Sequence, residues 1–163
     1  MNYIDWLINR KELKLCSLEE FNQDVASVYG FMVLKLGEYT LGFIDYSEEN
    51  EGDEDISFYV DQLIKCGIAL QRNEVFKVSL LNSNLLEIRV HLEKTVVVEV
   101  WNVQNDIKEY TYELSLVDVI SEIESAYLKY ISDVKGINES ILQSKLIKNT
   151  SLLYEHLIKT LEI

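Results

Sequence analysis

The chain has no proline, only two cysteines, two histidines and six glycines, and its 15 basic side chains are outnumbered by 28 acidic ones. Most of these shortages exclude something. Two cysteines, Cys16 and Cys66, cannot build the disulfide framework of a small secreted protein. Together with His91 and His156 they form no CxxC, HExxH or comparable zinc spacing, so no metal or other cofactor is expected. The scattered glycines make neither GxGxxG nor GxxxxGK, which removes phosphate-cradling loops. There is no GxSxG, and neither cysteine has a histidine near it in sequence, so nucleophilic catalysis has no visible machinery. Cys16 precedes a helix start, a place where a thiol pKa can fall, whereas Cys66 reads as a small core residue. No run approaches the ~20 apolar residues of a membrane helix. The opening MNYIDWLINRKELK lacks a basic segment followed by an apolar one, so no signal peptide is visible and a cytoplasmic setting is expected. The missing proline carries no functional reading.

What remains is an ordinary apolar content with a strong charge bias. The 163 residues suit one domain spanning 1–163. Hydrophobic residues make up 48%, enough to bury a core without metal or disulfide staples. The formal charge of −13 disfavours contact with nucleic-acid phosphates or an anionic membrane surface. That charge is concentrated: residues 47–55, SEENEGDED, hold six acids and no base. This stretch must be an exposed loop, and self-repulsion favours mobility. As a calcium loop it fails. Counting from Ser47 places Phe58 where a bidentate Glu is required, and counting from Asp45 ends on Ile56.

Periodicity gives the elements. Residues 2–10 are a short amphipathic stretch. Ser17 and Glu20 fit a capping box for a helix ending near Gly30. Phe31 to Leu36 and Tyr39 to Tyr46 read as strands joined by Gly37-Glu38. Helical spacing runs over 56–71. Four alternating segments follow: Phe76 to Leu80, Leu86 to Leu92, Val96 to Val100 and the strand around Tyr110 to Leu114, with Asn82-Ser83-Asn84 as the first turn. They predict an antiparallel meander. Ser115 caps a helix to Val134 closed by Gly136, and Asn138 caps a last helix through Leu161. Tyr110, Tyr112, Tyr127 and Tyr130 should link sheet to helix at the core margin. The fold class is α+β: an antiparallel meander with helices packed on one side and a C-terminal helical hairpin.

The candidate site is a partner-binding surface. It joins Asp45, Glu48, Glu49, Glu51, Asp53, Glu54 and Asp55 in the loop to Glu87, Glu99, Trp101, Glu109 and Glu113 on the polar face of the meander. The register brings Arg89 opposite Glu99 and Glu87 opposite Trp101, with one cross-strand ion pair. Such a flat, acid-rich face with an aromatic anchor suits a basic protein partner. His91 has no polarising neighbour and reads as a surface hydrogen-bonder. Three other readings compete: an acidic nucleic-acid mimic inhibiting a DNA-binding enzyme, an enzyme using paired carboxylates such as Glu87 with Glu99 or Asp45, and a structural adaptor or oligomer.

In layout, residues 31–102 resemble the bacterial immunity proteins of contact-dependent and polymorphic toxin systems. The resemblance lies in two strands, the acidic SEENEGDED, the helix FYVDQLIKCGIAL and the strands VFKVSLL, LLEIRVHL and VVVEVWNV. It implies one-to-one binding of a cognate toxin, often a nuclease, by covering its active or substrate-binding surface, and no catalysis by this chain.

Overall fold

The computed structural model describes residues 3–80 and 85–162, so the turn read at Asn82-Ser83-Asn84 lies outside the described residues. In chain order come β1 (Ile4–Ile8), α1 (Arg10–Leu15), the short α2 (Leu18–Glu20) with a wide helical turn over Phe21–Val25, β2 (Tyr29–Leu36), β3 (Tyr39–Phe43) and β4 (Glu54–Asp55). Then follow α3 (Ile56–Gln71), β5 (Phe76–Ser79), β6 (Leu86–Leu92), β7 (Val96–Asn102), β8 (Ile107–Leu114), α4 (Leu116–Ile137), a 3₁₀ turn (Glu139–Gln143) and α5 (Lys145–Leu161). The fold is α+β, with antiparallel sheets and C-terminal helices.

The meander forms in the order β5-β6-β7-β8. Arg89 lies opposite Glu99 and Glu87 opposite Trp101, the register that inward alternation demands. A second sheet accompanies it, in the order β1-β2-β3 with β4 also on β2. Residues 4–8 are therefore a strand, with Trp6 and Ile8 turned into the core. The β2–β3 connection is a two-residue hairpin: Leu36 pairs with Tyr39, and Gly37 has φ of +61°. Positive φ at the first central residue alone matches a type II′ turn, for which glycine is preferred.

Ser17 caps α2, its Oγ accepting from Glu20 N at 3.1 Å and donating to the Glu20 carboxylate at 3.0 Å. The helix stops early, at Ala26 in the left-handed region (φ 49°), because Gly30 already belongs to β2. A Cβ on Gly30 would lie 2.2 Å from the Leu7 carbonyl oxygen, so this strand approach requires glycine. Two other boundaries differ from the sequence reading. α4 runs through Gly136 to Ile137, and Ser144, not Asn138, caps α5 through Ile147 N. Asn138 instead donates to the Leu13 and Cys16 carbonyls at 2.9 and 2.7 Å, tying the end of α4 to α1.

α3 is the central helix, packing on α4, α5, β2, β5 and β6. A Cβ on Gly67 would meet Ile123 of α4 at 2.8 Å and Leu157 of α5 at 3.2 Å, so that residue lets both C-terminal helices close on α3. Between themselves the two meet through the stacked rings of Tyr127 and Tyr154, 3.9 Å apart, and a Tyr127–Ser151 hydroxyl contact. Tyr130 is fully buried rather than marginal. The two sheets join along a tyrosine seam, Tyr3 against Tyr112 and Tyr39 stacked on Tyr110 at 5.0 Å. α4 also shields the open edge of β1: Glu122 Oε1 accepts from the Tyr3 and Ile4 amides, and Lys129 Nζ donates to the Trp6 carbonyl. Edge strands left bare invite foreign pairing, and polar side chains prevent it here. Buried residues of both sheets and the three long helices form one core cluster.

Candidate functional site

The acidic loop is anchored at its centre. Gly52 is buried, and Asn9 brackets it, Nδ2 donating to the Gly52 carbonyl at 2.7 Å and Oδ1 accepting from Gly52 N at 2.9 Å. A Cβ on Gly52 would fall 2.1 Å from the Gly30 backbone, so the loop lies directly on β2. The sequence reading favoured a mobile loop; non-local bonds and close backbone contact fix it instead.

Its acids divide by role. Asp45 organises the entry, accepting from Ser47 N at 2.9 Å and Asn50 Nδ2 at 3.0 Å. Those bonds, led by the one from Asn50, hold its carboxyl below the ordinary aspartate value. Asp55 caps α3 through Phe58 N and accepts from the Ser57 hydroxyl. Glu54 pairs with Gly30 across the ladder, and its Oε2 is buried. Burial, helped by the charge of Asp53, pushes the Glu54 carboxyl up. Glu48, Glu49, Glu51 and Asp53 remain exposed. The carboxylates of Glu48, Glu49 and Glu51 enter no ion pair among the described residues.

Sequence reasoning missed the aromatic frame around these four acids. Phe43 and Tyr46, both 69% exposed, precede the loop; Phe58, 44% exposed, follows it; and Tyr29, 43% exposed, stands opposite Asp55 in the ladder. Phe43 touches Phe31 with ring centres 5.6 Å apart. A signal was present, since Phe43, Tyr46 and Phe58 flank the loop in sequence and only Tyr29 comes to it through the ladder. The periodicity of the surrounding elements gave no side to any of them.

On the polar face of the meander two of the acids, Glu87 and Glu99, are each paired with a cation. A β-bulge between Val100 and Trp101 puts Lys108, not Glu109, opposite Trp101. The extra residue on β8 shifts the register, as bulges do. Lys108 Nζ then reaches Glu99 Oε2 at 3.2 Å. Arg89 pairs along its own strand with Glu87 at 2.7 Å, rather than across to Glu99, and its guanidinium sits 4.3 Å from the Trp101 ring centre. The indole Nε1 donates to Glu99 Oε1 at 3.3 Å. Burial raises the Glu99 carboxyl. The bonds from Trp101 and Lys108, with the charges of Lys108 and His91, outweigh that and leave it below the ordinary value. His91 contacts Glu93 at 3.2 Å. The displaced Glu109 accepts from the Tyr39 hydroxyl at 3.2 Å and serves the seam between the sheets. Glu113 stays exposed, opposite Val97. Glu87 and Glu99 are thus each engaged with a cation, not held together as a carboxylate pair.

Asp61 and Cys66 are tied into the packing of α3. Asp61 on α3 accepts from Thr150 on α5 at 2.6 Å, and burial pushes its carboxyl up. Burial also raises the Cys66 thiol to about 12. Cys16 is raised too, by burial and then by Glu20, Asp24 and Glu12, contrary to the lowering that a helix start can give. No group of three His, Cys, Asp or Glu that could hold a metal ion occurs among the described residues, and no helix there is long and apolar enough to cross a membrane. No family model, curated protein or solved structure matches the chain.

Proposed function

We propose that the protein is a non-enzymatic binding protein of the immunity type, which docks a basic protein partner, a cognate toxin, and covers its working surface. The observation that carries this reading is the anchored loop. Glu48, Glu49, Glu51 and Asp53 are displayed on a backbone fixed to β2 through Gly52, with Phe43, Tyr46, Tyr29 and Phe58 exposed around it. Carboxylates on a pre-ordered support steer a cationic partner and lose little conformational entropy on binding. Exposed aromatics beside them supply the desolvated anchors that charges lack. The face around Trp101, where Glu87 and Glu99 already hold cations, is a secondary contact in this reading. The engagement of Glu87 and Glu99 by Arg89 and Lys108 supports binding over carboxylate catalysis.

Affinity capture from the native cell tests the proposal, using wild type and an E48K/E49K/E51K triple variant at low and physiological salt. Wild type should retain a basic protein whose association slows steeply with salt, and the triple variant should lose it. Retention that ignores both salt and charge reversal would refute the reading, as would capture of nucleic acid in place of protein.

A further inference from the structure

Between the two sheets and under α3 and α4 lies a cleft enclosing about 130 Å³. Its deep wall is made by Met32 and Leu36 of β2, Cys66 of α3, Val96 and Val98 of β7 and Ile123 of α4, all buried. Its rim includes the partly buried Leu34, Leu63 and Phe76, which leave a path from solvent. Only two side chains in the lining carry an amide or a charge, Gln62 and Glu122, and Glu122 is engaged by the Tyr3 and Ile4 amides. We propose that this cleft is a binding site for a small monocyclic aromatic molecule.

An apolar cavity of about 150 Å³ lined by aliphatic side chains stays dry and accepts benzene. A water molecule here would forgo most of its hydrogen bonds, because it needs two to four polar partners. A ring of about six to eight heavy atoms instead restores the dispersion contacts that a void denies its walls. The walls come from both sheets and from α3 and α4, so an occupant braces β2 against the meander as well as filling space. This inference does not rest on the acidic loop and stands or falls apart from the proposed function.

The test is a titration of the intact, methyl-labelled protein with toluene, followed by ¹H–¹³C correlation spectra up to saturation of the aqueous phase. Saturable shifts at Met32, Leu36, Val98 and Ile123, with a dissociation constant of about millimolar or tighter, are the expected result. Cys66→Met extends a side chain into the cleft and should weaken binding at least about tenfold; Val98→Leu should do the same from β7. The wild-type titration decides by itself if either variant fails to fold. No saturable shift at these methyls would overturn the proposal, as would shifts confined to exposed methyls such as Leu15 and Leu152, or undiminished binding in a folded filling variant.

Discussion

Trp101 shows how one side chain collects its surroundings. Arg89 lies over its ring, Glu99 accepts from its indole nitrogen, and Lys108 holds the other oxygen of the same carboxylate. Glu99 is therefore more acidic in the folded protein than in the unfolded chain. A carboxyl with a lowered folded pKa adds stability above its unfolded value, and that contribution fades as pH falls through the folded one. Lys108→Ala should raise the Glu99 titration midpoint toward the ordinary glutamate value, read from side-chain carbonyl shifts between about pH 2 and 7. An unmoved midpoint would show that the indole bond, not Lys108, sets it. The facing of Arg89 and Glu99 was legible in the alternation of apolar residues along β6 and β7. The partner each residue chose was not. Arg89 found Glu87 two residues away on its own strand, and a bulge that no periodicity signals delivered Lys108 to Glu99.

Among the elements, the acidic loop depends on contacts far away in sequence. Asn9, at the end of β1, holds Gly52 with two hydrogen bonds, and Gly30 of β2 leaves room for it. Asn9→Ala should cost about 1–3 kcal/mol, since it removes two bonds at a partly buried backbone. Amide exchange should quicken over residues 47–53 while β6 and β7 stay protected. Gly52→Ala should free the same segment by steric expulsion, because its new methyl cannot occupy the Gly30 backbone. Uniform exchange changes across both sheets would contradict this local anchoring. The caps at Ser17 and Ser115 were readable because the donor lies three residues from the acceptor. The Asn9–Gly52 clamp spans 43 residues, and nothing local marks it. For the same reason β1 escaped notice: its five residues pair with β2 and lean on Glu122 and Lys129 of α4.

At the level of the molecule, an excess of 13 negative charges works against compactness. Raising ionic strength from about 10 to about 150 mM shortens the screening length from ~30 to ~8 Å. Calorimetry should therefore record a rising melting temperature, and a falling one would mean that attractive pairs such as Arg89–Glu87 outweigh the repulsion. The meander, the central helix and the C-terminal helices were legible from hydrophobic spacing. The partition into two sheets was not, because it rests on tyrosine contacts and on glycines that admit close backbones, neither of which has a period. One consequence follows from the irregularity in β8. Four residues, 103–106, now separate the paired Asn102 and Ile107, and the surplus is absorbed at Glu109. Deleting one residue from 103–106 would let the ladder run straight, pair Asn102 with Lys108 and set Glu109, in place of a lysine, across from the indole. Chain length alone, with no change to any residue of the strand, thus decides which charge stands against the indole.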